Sequence, residues 1–209
     1  FLKEYVAVRR REPKDDLISH LIAAEAAGDR LSEGELIAGC IQLLNAGHEA
    51  TVHSIGNAVK AILESGRDPA WLLQSEKTVE ATVEEALRFD PPLHFFDRYA
   101  LTDVEVEGLK LRKGQKIGLL LGAANRDPAR YEQAGLFDPA RRFFPHISFG
   151  AGIHFCIGAP LARLEMQVAL PALFKRLPGL HLAASPRYRN TWHFHGLEAL
   201  PVEYGRSRA

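Results

Sequence analysis

The stretch Phe149-Gly150-Ala151-Gly152-Ile153-His154-Phe155-Cys156-Ile157-Gly158, followed directly by Ala159-Pro160-Leu161-Ala162-Arg163-Leu164-Glu165, decides the reading of this chain. Glycines on both sides of one cysteine let the backbone pass close to something flat and bulky. The loop then turns into a helix, whose first-turn N–H groups favour negative charge, so the sulfur is an anionic ligand suited to a metal. The competing role is a buried structural cysteine, the commoner fate of a free thiol. A core cysteine, however, does not call for Gly150, Gly152 and Gly158 around it. A dinucleotide-binding loop fails because its third glycine position is Phe155, with no strand and acidic partner in place. A zinc site fails because the only other cysteine, Cys40, lies in a distant helical segment.

Composition sets the frame. The chain has 209 residues, 46% hydrophobic and 25% charged, an ordinary globular make-up with enough apolar material for a sizeable core. Its formal net charge of zero argues against a nucleic-acid partner. Two cysteines without a framework fit a reducing cytoplasm, and no apolar run reaches membrane-spanning length. The start at Phe1, in helical composition and without a signal peptide, reads as a fragment.

Along the chain, apolar spacing predicts helices over Phe1–Arg11 and Asp15–Ala27, with Gly28 as the stop. Ser32 and Glu35 form a capping box that opens a single helical pattern running to Gly66, about 50 Å long at 1.5 Å per residue and expected to cross the whole domain. Midway, Asn45-Ala46-Gly47-His48-Glu49-Ala50-Thr51 interrupts the apolar run with polar groups, a sign of function or of local bending. His48 and Glu49 suggest a zinc protease, but His53 stands at i+5, roughly 140° around the helix from His48, so zinc is rejected there. Asp68-Pro69 starts a short helix, and Glu76 to Phe89 forms another, stopped by Asp90-Pro91-Pro92. On the latter, Glu85 and Arg88 sit three apart, by itself most often an exposed ion pair. Strand-like runs at Arg98–Leu101, Val104–Val106 and Lys116–Leu121 predict a small antiparallel sheet. The helix after Cys156 spans Ala159–Arg176, kinked or weakened at Pro171. Trp192-His193-Phe194-His195 with Leu200-Pro201-Val202 reads as a final hairpin, where His193 and His195 share a strand face and are better taken as surface histidines than as metal ligands.

The spacing Phe-Gly-x-Gly-x-His-x-Cys-x-Gly resembles the haem-binding signature of the cytochrome P450 family, with every fixed position filled. The resemblance implies a mainly α fold with small antiparallel β-sheets, like the C-terminal half of that family from its I to its L helix. It treats the chain as one haem-thiolate domain in three stretches, 1–66, 67–135 and 136–209. Cys156 would be the axial thiolate on the iron of haem b, with Phe149, Gly150 and Gly158 shaping its loop. Arg98 and His154 match propionate-binding positions. Glu85, Arg88 and Arg141 resemble the family's buried Glu-Arg-Arg set, and Ala124-Asn125-Arg126-Asp127-Pro128 its structural turn. The segment around Gly47 and Glu49 resembles the oxygen-activating segment. There Glu49 is the proton-relaying acid, Ala50 replaces the usual threonine, and Thr51 is the second, more variable hydroxyl. Leu44, Ala46, Ala50, Leu93, His94, Phe96, His193 and Phe194 fall at substrate-pocket positions, and their aromatics suggest an apolar substrate.

In function, the resemblance implies a monooxygenase that takes O2, a small apolar substrate and electrons from a ferredoxin or similar donor served by an NAD(P)H reductase. Alternatives are a peroxide-driven oxidase, supported by Ala50, or a haem-binding chain without catalysis. The short Thr51–Glu85 and Pro128–Cys156 separations resemble bacterial members without a membrane anchor, which places the protein in the cytoplasm.

Overall fold

The computed structural model describes residues 1–26, 31–142, 145–191 and 193–205. Ala27 and Gly28, expected to close the second helix, and Trp192 of the last turn lie outside the described residues. The chain forms two compact units, Phe1–Glu49 and Ala50–Ala209.

In the first unit, α1 spans Leu2–Arg11, α2 Leu17–Ala26 and α3 Glu33–Ala46. Val6, Leu36 and Cys40 are buried at its centre, with Leu2, Ile18, Leu21, Ile22 and Ile37 packed around them. Cys40 is thus a core thiol. The capping box at α3 is present in full: the Glu35 amide donates to Ser32 Oγ, and the Ser32 amide donates to Glu35 Oε2 at 2.8 Å.

The single helix expected from Ser32 to Gly66 does not form. Helix α3 ends at Ala46, with Gly47 as its cap donating to the Leu43 carbonyl at 2.9 Å, and α4 restarts at Glu49 and runs to Glu64. Asn45, Gly47 and His48 are all weak helix formers, and three within four residues overcome the continuity of the apolar pattern.

The second unit carries the larger core. Ala58, Val59 and Ile62 of α4 meet Val83 and Leu87 of α6 (Glu76–Phe89) and Met166 and Leu170 of α8 (Ala159–Arg176). Ile62, Val83, Met166 and Leu170 are completely buried. Helix α8 continues past Pro171 without interruption. Short helices α5 (Pro69–Leu72) and α7 (Leu121–Ala124) complete the helical part, α5 capped by Asp68 as its Asp-Pro start predicts.

The strands form four two-stranded antiparallel ladders, in keeping with the small antiparallel sheets expected, and the runs between Arg98 and Leu121 divide between two of them. β1 (Phe95–Tyr99) pairs with β4 (Lys116–Leu120), and β2 (Val104–Val106) with β3 (Leu109–Leu111). β5 (His181–Leu182) pairs with β8 (Val202–Glu203), and β6 (Arg187–Tyr188) with β7 (Leu197–Ala199). The expected final hairpin is therefore corrected. β7 and β8 are separated by Leu200 and by Pro201, which has no N–H to donate, and each pairs with an earlier strand. Phe194 instead makes an isolated bridge to Leu93, and the His195 amide donates to the Pro92 carbonyl at 2.7 Å. No helix among the described residues is long and apolar enough to cross a membrane.

Candidate active site around Cys156

The loop before α8 is built from residues close in sequence. Gly150 and Gly152 have φ of 71° and 66°, the left-handed region that glycine enters without penalty. Those two turns fold the chain back so that the Cys156 amide donates to the Phe149 carbonyl at 2.9 Å and the Phe155 amide to Gly152 at 3.0 Å. Gly158 differs. Its φ is −83°, open to any residue, and a Cβ there would meet Cys156 Sγ at an ordinary 3.8 Å. It serves as the residue preceding α8, with Pro160 in the first helical turn.

Cys156 is half-buried. Around it, Ile153 is 98% exposed, Ile157 89% and Phe155 53%. Three large apolar side chains turned to solvent beside one thiol make a surface that calls for a cover. Phe149 lies behind the loop, edge-on to Phe155 at 6.5 Å, with the Arg163 guanidinium 4.5 Å over its ring.

A buried polar network holds the loop against α6. Arg88, 3% exposed, donates through Nε and Nη2 to the two Glu85 carboxylate oxygens, both at 2.7 Å. Its remaining N–H groups reach the carbonyls of Asn125 at 2.8 Å, Ala134 at 3.0 Å and Leu136 at 3.0 Å. Glu85 Oε1 also accepts from the Asp138 amide at 2.8 Å and from Arg141 Nε at 3.4 Å. Glu85, Arg88 and Arg141 are thus brought together, and the pair is buried, unlike an ordinary surface E-x-x-R.

Sequence reasoning placed Asn125 in a structural turn but missed the contacts by which it and Ser148 carry this network into the loop. Asn125, fully buried, donates to Ser148 Oγ at 2.8 Å and accepts from the Ile147 amide at 2.9 Å, while Ser148 donates to the Leu87 carbonyl at 2.7 Å. Glu84 was also missed. It accepts from Arg163 Nε of α8 at 2.5 Å and faces His146 Nε2 at 3.2 Å. Burial pushes the Glu84 carboxyl up, but His146 and Arg163 more than offset this and hold it at about 2, below its ordinary 4.5. Since the folded value lies below the unfolded one, the stabilisation is complete above pH 4.5 and is lost as pH falls toward 2. Glu84→Gln is therefore expected to flatten the loss of stability between those limits, as read from urea unfolding midpoints at successive pH values. An acid limb as steep as the wild type's would remove Glu84 from this account.

The other predicted site residues are placed as follows. Arg98, half-buried on β1, donates to the Asp97 carbonyl at 2.8 Å and stands 5.5 Å over the Phe96 ring, while His154 is exposed in the one-turn 3-10 helix Gly152–His154. Leu93, Phe96, His193 and Phe194 come together: beside the Leu93–Phe194 bridge, His193 stands edge-on to Phe96 at 5.2 Å and to Phe194 at 4.9 Å. His94 leaves that group, its ring stacked on His195 at 3.9 Å. The pairing of His193 with His195 on one strand face is corrected, since neither lies in a strand. Ala50 and Thr51 lie in the first turn of α4, in the second unit, and Leu44, Ala46 and Glu49, the first residue of α4, belong to the first unit.

The family model for cytochrome P450 matches residues 58–178. The chain belongs to the cytochrome P450 family. It is 44% identical over 209 residues to cytochrome P450 107B1 of Saccharopolyspora erythraea, and 40% identical over 205 residues to the biotin biosynthesis cytochrome P450 of Bacillus subtilis. Each match covers 98% of this chain and 52% of the relative, so the chain spans about half the length of the curated relatives it matches. Among solved structures it is similar to P450BioI, in complex with an acyl carrier protein ligated to hexadec-9Z-enoic acid. That match has a TM-score of 0.90 and 41% identity over 98% of this chain and 52% of that one. The architecture is that of the C-terminal half of the P450 fold, mainly helical with small antiparallel ladders.

The P450 family uses haem b, and the loop geometry fits it. A half-buried thiol framed by the exposed apolar faces of Ile153, Phe155 and Ile157 matches a flat, largely apolar cofactor with a metal at its centre. Cys156 would hold the iron.

Proposed function

We propose that this chain serves a haem-thiolate monooxygenase that inserts one oxygen atom of O2 into a small apolar organic substrate, with electrons from a ferredoxin-type partner and its NAD(P)H reductase. The observation that carries the reading is the half-buried Cys156 among three exposed apolar side chains, on a loop whose two left-handed glycines fix its path. Haem b bound there supplies the oxygen activation and the oxidation of an unactivated carbon.

The chain's own part is ligation, orientation and proton supply. Cys156 Sγ provides the anionic ligand, and Arg98 and His154 offer cationic or hydrogen-bonding groups to the propionates. Leu93, Phe96 and Phe194 offer an apolar wall to the substrate, and Glu49 is the carboxylate that moves protons. Carbon monoxide added to the reduced, haem-loaded protein tests the reading. The long-wavelength band typical of thiolate-ligated haem is expected, and its absence overturns the catalytic assignment in favour of a chain without catalysis.

A second reading, peroxide-driven oxidation, is favoured by the missing alcohol at Ala50. Ser54, one turn on, does not replace it, because its hydroxyl donates to the Ala50 carbonyl at 2.9 Å. If that reading is right, hydrogen peroxide alone sustains turnover, and Ala50→Thr raises the share of reductant that ends in product rather than in released peroxide. Turnover that needs the electron donor, with coupling unchanged in Ala50→Thr, supports the first reading alone.

A further inference from the structure

Asp90, His94 and His195 are the one group of three ligand-type side chains among the described residues whose ligating atoms all lie within 4.8 Å of one another. Asp90 ends α6, His94 directly precedes β1 and His195 lies just before β7, so the group joins segments about a hundred residues apart. Asp90 is 4% exposed, whereas the His94 and His195 side chains keep 35% and 25% of their surface, which leaves a way in for an ion.

The distances suit a metal better than they suit hydrogen bonds. His195 Nε2 lies 3.1 Å from Asp90 Oδ1, and His94 Nε2 lies 3.7 Å from the same oxygen, too far to bond it. Ligands held tetrahedrally at 2.0–2.1 Å stand about 3.4 Å apart, between those two values. His94 Nε2 is buried and has no hydrogen-bond partner, an unmet need that a metal bond would satisfy.

The surroundings hold these ligands in place. Tyr188 donates its hydroxyl to Asp90 Oδ2, which leaves Oδ1 turned to the two imidazoles. The Tyr188 and His195 rings stack at 4.0 Å, and those of His195 and His94 at 3.9 Å with 16° between their planes, so the half-exposed His94 ring has to turn out of the stack for both Nε2 atoms to face one ion. Asn57, 1% exposed, donates its amide to the carbonyls of both Asp90, at 3.2 Å, and His195, at 2.9 Å. A Cβ on Gly122 would stand 2.9 Å from the His94 ring, so glycine there makes room for the imidazole. Burial pushes the Asp90 carboxyl up, but His195, His94 and Tyr188 outweigh it and hold the group ionised, the form a metal needs.

We propose that Asp90 Oδ1, His94 Nε2 and His195 Nε2 form a site for one divalent transition-metal ion of the zinc class, with a fourth position open to solvent. Two imidazoles and one carboxylate suit that class, whereas calcium and magnesium prefer oxygen alone. Binding forms two Zn–N bonds and one Zn–O bond through unprotonated Nε2 atoms, any proton on those nitrogens moving to Nδ1 of the same ring or, from a charged ring, to solvent. The ion then acts as a clip between the end of α6 and the C-terminal ladders.

The test is zinc chloride titrated into the haem-loaded protein, in which Cys156 is occupied, followed by calorimetry and thermal unfolding. One ion per chain is expected, with a rise in the unfolding midpoint. His94→Ala, and His94→Phe, which keeps a ring on His195, are each expected to weaken binding about tenfold or more and to remove the thermal shift. Circular dichroism of the zinc-free variants checks that they fold. Binding and stabilisation unchanged in both variants, or no binding by the wild type, overturns the proposal and leaves the cluster as an ion-paired stack.

Discussion

Cys156→Ala is expected to leave the chain folded while abolishing the long-wavelength carbon monoxide band of the reduced, haem-loaded protein, with turnover falling to background. The fold survives because the loop is held by backbone groups. The Cys156 amide donates to Phe149 and its carbonyl accepts from Ala159, and neither bond uses the sulfur. The side chain is half-buried, so its loss opens no enclosed cavity of the kind that makes core truncations costly. The spectrum and activity do not survive, because Cys156 would supply the thiolate on which the band and the oxidising chemistry of this cofactor depend. Cys40→Ala is the control. Cys40 is 7% exposed in the core of the first unit, so its replacement is expected to change stability slightly and the spectrum not at all. A band retained in Cys156→Ala would show that the sulfur ligand lies elsewhere.

What could be read from the sequence follows how local each feature is. The cysteine loop was legible because its shape rests on glycines within six residues of Cys156, two of them in the left-handed region. The capping box at Ser32 and the Asp68-Pro69 start were legible for the same reason. The break at Gly47 was visible as an interruption but not as an end, since the apolar pattern continues on both sides and propensity is a weak guide against it. Strand partners were not legible. Strands of two or three residues carry almost no periodic signal, so Leu197–Ala199 gave no hint that it pairs with Arg187–Tyr188 rather than with Val202–Glu203. The polar contacts were harder still. Glu84 meets Arg163 across 79 residues, Asn125 meets Ser148 across 23 and His195 meets Asp90 across 105, and a single sequence holds no trace of such pairs.

Arg88→Ala is expected to have the largest effect on stability of any single change in the polar core, about 3–5 kcal/mol, the usual cost of removing one partner of a buried pair. Against a total stability of about 5–15 kcal/mol this leaves the chain marginal or unfolded. Arg88 uses all five of its N–H groups, two on Glu85 and one each on the carbonyls of Asn125, Ala134 and Leu136. Its removal takes the guanidinium from a carboxylate that is 5% exposed, leaving Asp138 and Arg141 on Oε1, and takes a donor from three carbonyl oxygens, of which that of Leu136 also accepts from Arg141. Arg88→Lys keeps the charge but offers three N–H groups from one nitrogen, too few and wrongly arranged for five acceptors, so it is expected to lose much of the same stability. Glu85→Gln should cost less. Arg88 keeps its three carbonyl partners, and the amide oxygen can still accept from Asp138 or Arg141. The double variant Glu85→Leu with Arg88→Met separates charge from hydrogen bonding. Removing both charges lifts the penalty of a buried ion without its partner, but the carbonyls of Asn125, Ala134 and Leu136 still lose their bonds from Arg88, with Leu136 keeping only that from Arg141. Chemical denaturation should therefore place the double variant between Arg88→Ala and the wild type. A double variant no more stable than Arg88→Ala would locate the stabilisation in the three carbonyl contacts. One equal to the wild type would show that the loss in Arg88→Ala is the penalty of the unpaired carboxylate, and would make those contacts to the segment before the cysteine loop dispensable for folding.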